Sequence, residues 1–293
     1  MPPHEETSVP GSPQSRKLIT AVGVGVGALW LAAGIFCVVS LRLGSSLSEA
    51  GPLDAYLLGS KEGLLWVQLI IYPFVFRYVS ALFLAFLLTW FGGLVRVARQ
   101  GLTPASFIRL FTLGAVGNGL VYLAVMRLML GASGSLGGGY LVLVTMHSAL
   151  AVLEPKATLY PKRTGGASGG WSPLSYLFGV ALLADVGLVN GGNVLASLSR
   201  LDLFLWWLPL FILMMMMSRA SMKRFVVAVV VWDLGSDVLR LLYYSRSVGY
   251  NWTSILYTFF PFDLCLLAAV LLGLLYGWAE RRLAGYGPQL KAA

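Results

Sequence analysis

Phe225 to Arg246 reads FVVAVVVWDLGSDVLRLLYYSR. The run is apolar enough to enter a bilayer, yet it carries Asp233, Asp237 and Arg240 in its interior. At 100° per residue the three charges fall within about 60° of one another on a helix. Each costs roughly 2.5–3.5 kcal/mol at the centre of a bilayer, whereas each Leu, Val or Phe returns about 0.3–0.6. The eleven such residues in the stretch cannot offset three charges. A spanning helix of this sequence therefore needs partner helices that cover its charged stripe, and the fold implied is a helical membrane bundle.

Composition extends that reading to the whole chain. Of 293 residues, 58% are hydrophobic and 11% charged, with a mean hydropathy of +0.79. Soluble domains carry nearer a quarter charged residues. Seven further apolar runs accompany the opening one: Leu18 to Leu41, Leu64 to Phe91, Phe107 to Leu130, Tyr140 to Leu153, Pro173 to Gly192, Leu201 to Met217 and Ile255 to Trp278. With Phe225 to Tyr244 they make eight expected spans. The expected fold is all-α: a polytopic bundle over 16–282, with a disordered tail at 1–15 and a second tail at 283–293. The TGGASGG segment, 164–170, reads as a linker between two four-helix halves. The first run is longer than the apolar region of a signal peptide, so it reads as a retained helix.

The charges test the count. Arg16, Lys17, Arg96, Arg99, Arg109, Lys156, Lys162, Arg163, Arg219, Lys223, Arg224, Arg281, Arg282 and Lys291 fall on one set of alternate loops and tails. Only Arg42, Lys61, Arg200 and Arg246 fall on the other. Lys and Arg accumulate on cytoplasmic loops, so both termini are expected in the cytoplasm and the plasma membrane is the expected location. The net charge of +9 is then a topology signal. It needs no nucleic-acid partner, and general attraction to anionic lipid follows from it.

Within the spans, Gly23 and Gly27 of the GVGVG run make a small-xxx-small face suited to close helix contact; a nucleotide loop would need a strand before it. Arg77 lies mid-span in YPFVFRYVS, too deep to snorkel, and Pro73 before it favours a kink. Asp233, Asp237 and Asp185 are its candidate counter-ions. Asp233 and Asp237, four residues apart, raise each other's proton affinity, whereas Arg77 or Arg240 lowers it. Asn190 extends a polar path from Asp185. His147 shares a helix with Thr145 and Ser148, and it suits either a hydrogen bond within the bundle or a proton relay. Pro261-Phe262-Asp263 resembles a helix start, which would make Asp263 a first-turn residue.

Cys37 and Cys265 lie in apolar runs, and His4 and His147 lie far apart, so no metal, haem or other cofactor site is evident. Gly131 to Gly134 has a GxSG form, but Ser133 and His147 are too far apart on one segment to share a proton, and no catalytic residue is assigned. The expected function is a transporter or channel-like protein whose intramembrane Asp/Arg site binds a proton, a cation or a small solute. The alternatives are a non-catalytic subunit held to partner membrane subunits, and an enzyme acting on a lipid-linked substrate.

Overall fold

Glycines on the first helix set the packing that organises the bundle. The computed structural model describes residues 12–43, 58, 64–75, 81–128, 136–154 and 252–283, together with 177, 179–181, 183, 184, 235, 238 and 242. Helix α1 (Pro13–Leu43) turns Gly23, Gly27 and Gly34 toward a second rod. This rod comprises α3 (Ala81–Leu88), a π-helical turn (Thr89–Leu94) and α4 (Val95–Gly101). A Cβ on Gly23 would lie 2.7 Å from Val95, one on Gly27 would enter the Phe91 ring, and one on Gly34 would lie 2.6 Å from Phe83. The contacts descend the second rod as they climb α1, so the two run antiparallel. The close-contact reading of Gly23 and Gly27 holds, and Gly34 extends it.

The next rod is α5 (Pro104–Thr112), a π turn (Leu113–Gly117) and α6 (Asn118–Leu128). Thr103 caps its start by accepting from the Ser106 amide at 3.1 Å, with Pro104 in the first turn. Its Phe107 and Phe111 pack on Trp90, and Phe111 also packs on Trp30 of α1. Helix α7 (Tyr140–Leu153) has the bounds expected from its apolar run, and every residue from Tyr140 to Ala151 is buried. At 1.5 Å per residue it is about 21 Å long, shorter than a hydrocarbon core. Protein encloses it, so its length need not match the bilayer.

Helix α8 (Trp252–Leu283) lies along α7 with glycines at the seam. Gly273 faces Thr145 and Ser148, and Gly277 faces Ala149 and Val152. Both helices therefore run in the same direction. Against α5 and α6, α8 is antiparallel: Phe262 stacks on Tyr122 near one end and Glu280 meets Ser106 near the other. Leu177, Val180, Ala181 and Ala184 are helical, buried and on one face, and they join the same core.

The described residues are helical apart from short connections and the isolated bridge between Leu58 and Leu136. Among the described residues, three stretches are long and apolar enough to cross a membrane: Pro13–Phe36, Pro104–Leu128 and Pro261–Leu283. The linker at 164–170 lies outside the described residues.

Two expectations change. Leu64 to Phe91 is not one unbroken helix. Helix α2 (Leu65–Ile71) passes into a 3-10 turn, Tyr72–Phe74, and ends at Val75 in an extended conformation, φ −97° and ψ 116°. Pro73 has no N–H to continue the ladder, and tertiary partners turn the expected kink into a break. Pro261 does not begin the last helix either. It lies inside α8, so Asp263 is an interior residue rather than a first-turn one.

Candidate functional site

The break at Tyr72 to Val75 lies inside the bundle, beside Trp30 of α1. A polar group freed in an apolar interior is costly unless it finds a partner, and here the Tyr72 and Pro73 carbonyls each find one. The Trp30 indole donates to the Pro73 carbonyl at 2.8 Å, and the Gly138 amide donates to the Tyr72 carbonyl at 2.9 Å. Gly138 reaches it from a turn that only glycine adopts freely, φ 84°. Gly139 beside it leaves room for Trp30 and Phe86.

The π turn of Leu113–Gly117 is stitched in the same way. Widening a helical turn displaces carbonyls from their usual donors. The Tyr72 hydroxyl donates to the Ala115 carbonyl at 2.6 Å, and Asn118 Nδ2 lies 2.6 Å from the Gly114 carbonyl. Asn118 Nδ2 also lies 2.8 Å from Thr145 Oγ1, whose hydroxyl donates to the Ala269 carbonyl at 3.2 Å. One polar chain thus links α6, α7 and α8 through fully buried side chains. His147 is fully buried on α7 and holds the Leu143 carbonyl through Nδ1 at 2.8 Å, while Ser148 donates to the Val144 carbonyl. Both of these bonds stay within α7.

Asp263 is 3% exposed, two residues past a proline that leaves the Tyr257 carbonyl without its helical donor. Its neighbour Phe262 stacks on Tyr122 of α6, the helix whose Gly119 abuts Tyr72 and Leu69. Tyr72 lies in the interrupted segment, Asn118 and Tyr122 follow the π turn, and Asp263 lies past a proline inside α8. Such a neighbourhood is chemically suited to hold a polar solute or relay a proton.

Arg77, Asp185, Asn190, Asp233, Asp237 and Arg240 lie outside the described residues. Within the opening stretch, Val238 and Leu242 are helical and exposed. They sit roughly 130–170° around a helix from the middle of the charged stripe. Sequence reasoning passed over Asn118, Tyr72 and Tyr122. Asn118 had a signal: a lone amide between two glycines in an otherwise apolar span.

At the far end of α7, half-buried Glu154 packs where a Cβ on Gly101 would otherwise sit. Burial pushes its carboxyl above the usual carboxylate range. A raised acid stabilises the fold most below its unfolded pKa, and the contribution is lost as pH rises through the folded value. Glu154→Gln is therefore expected to raise the thermal midpoint at neutral pH, and the gain should vanish below about pH 4. Melting curves of both proteins across that range check the sign.

Comparison with protein-family models, with curated proteins and with solved structures finds no match.

Proposed function

We propose that the chain is a membrane transporter or channel-like protein, and that its intramembrane Asp/Arg site binds a proton, a cation or a small solute. The observation that carries this reading is the break at Tyr72 to Val75, inside the bundle and two residues before Arg77. Unwound backbone at membrane depth is tolerated where it is enclosed by protein or lines a cavity, and interrupted helices build the midplane sites of secondary transporters. Buried Asp263, next to the Phe262 that stacks on Tyr122, supplies the second polar element.

The proposed topology has eight spans with both termini in the cytoplasm of a plasma-membrane protein. Helix directions support it. Arg109 pairs with Glu280 at 3.4 Å and Gly101 abuts Glu154, gathering at one end groups that the charge rule assigns to one side. Because α7 and α8 run the same way, the chain between Glu154 and Trp252 returns to its starting end by an odd number of crossings. The three expected spans there satisfy that condition. Exposed Val238 and Leu242 suit a lipid-facing back for the stripe of Asp233, Asp237 and Arg240.

The test is flux in proteoliposomes, assayed with protons, Na⁺ and K⁺ in turn. At least one is expected to move, and Asp185→Asn, Asp233→Asn or Asp237→Asn should slow it at least about tenfold, as loss of a needed intramembrane charge implies. Unchanged flux in all three variants removes the site. Absence of flux from folded wild-type protein favours the role of a non-catalytic membrane subunit.

A further inference from the structure

Beyond transport, the outer face of α8 is built like the seat of a phospholipid. Leu271, Leu275, Trp278 and Arg282 recur at helical spacing and fall within about 60° of one another. All four are exposed: Leu271 48%, Leu275 62%, Trp278 51%, with Arg282 also outward. The stripe passes from two aliphatic side chains to an indole and then to a guanidinium, the order in which a lipid presents acyl chain, glycerol region and headgroup. Tryptophan settles at that interfacial level because its ring is part apolar and part polar.

The charged end is preset. The Arg282 guanidinium lies 3.8 Å from the centre of the Trp278 ring. Stacking on the ring face holds the guanidinium in place while leaving its N–H edge for an acceptor. Arg281 is exposed beside it. The nearest acid in sequence, Glu280, is turned away: it accepts from Ser106 and pairs with Arg109, roughly 200° around α8 from Trp278. Among the described residues no acid pairs with the two arginines, which leaves their charge for an outside anion. The apolar stripe below them requires that the anion be joined to a hydrocarbon chain.

We infer that Trp278, Arg281 and Arg282 bind the phosphate of an anionic phospholipid whose acyl chain lies along Leu271 and Leu275. The source is the surrounding leaflet. This inference needs α8 to be a membrane helix and stands whether or not the chain transports anything.

Spin-labelled phosphatidylglycerol and phosphatidylcholine, introduced separately into phosphatidylcholine vesicles holding the full chain, measure the preference. The wild type is expected to retain the anionic label more strongly. Arg281→Gln with Arg282→Gln should lower the preference about fivefold or more, since each basic residue at a membrane surface contributes on that scale. Arg16→Gln with Lys17→Gln, equal in charge removed and exposed on α1, should lower it less. Quenching adds a local readout: brominated phosphatidylglycerol should quench the emission lost in Trp278→Phe more than brominated phosphatidylcholine does. Equal falls in the two double variants, or equal quenching by the two lipids, would overturn the site and leave only diffuse attraction.

Discussion

Gly273→Ala is expected to destabilise the protein by about 3 kcal/mol, the upper part of the range for overpacking a close-packed interior. The new methyl group would overlap the Thr145 carbonyl oxygen and lie 2.6 Å from Ser148 Cβ. Neither neighbour can swing aside as a side-chain tip would, because one is backbone and the other is fixed to it. The two helices would have to separate at the place where Thr145 joins Asn118 to the Ala269 carbonyl. Gly27→Ala should cost less, since the Phe91 ring it meets can rotate. Gly25→Ala meets nothing within 4 Å and should be neutral or slightly stabilising, as alanine is the better helix former. Thermal midpoints of the three variants in one detergent check that order. A Gly273→Ala protein as stable as the Gly25→Ala protein would show that α7 and α8 are not in contact there.

That contact also marks where sequence stops being sufficient. The limits of α7 were legible because a buried helix between glycine-rich and proline-containing segments has an unambiguous apolar run. The glycine face of α1 was legible because Gly23 and Gly27 share a spacing that has few other uses. Which helix would lie along α7 was not legible, since Gly273 and Gly277 report a close neighbour without naming it. Pro73 by itself predicts a kink, because its local effect is one lost hydrogen bond. The helix ends there because Trp30 and Gly138, distant in sequence, supply partners for the freed carbonyls. Asp263 was misplaced for the converse reason: proline followed by an acid is a sound helix-start signal in water, but membrane helices tolerate interior proline. The site expected from sequence, Arg77 with Asp185, Asp233, Asp237 and Arg240, extends to Asn190 and His147 but does not reach Asn118, Tyr72 or Tyr122. Asn118, Tyr72 and Tyr122 carry no charge, and their burial becomes visible only when α6, α7 and α8 are assembled.

Trp30 offers the second large effect, and its two substitutions separate packing from the break. The indole is fully buried and meets Phe86 and Trp90 edge-on, each at 4.7 Å, with Phe74 and Phe111 tilted against it. Trp30→Ala removes a large side chain from a site walled by aromatic rings that cannot all collapse inward, so a loss of about 3–5 kcal/mol is expected. Trp30→Phe keeps much of the volume and removes the donor to the Pro73 carbonyl. Leaving that acceptor unpaired in the interior should cost about 1–3 kcal/mol. The smaller loss is the more informative, because the phenylalanine variant loosens the break without emptying the core. Amide exchange should then quicken at Val75 and Gly138, whose N–H groups both bond to the Tyr72 carbonyl, while Leu143 to Leu150 in the middle of α7 stays protected. Accelerated exchange confined to the break would mark it as a separately opening element, the property a transport hinge requires. Exchange that rises equally through α7 would make Trp30 a core residue alone, and the interruption at Pro73 would then be a packing solution with no motion of its own.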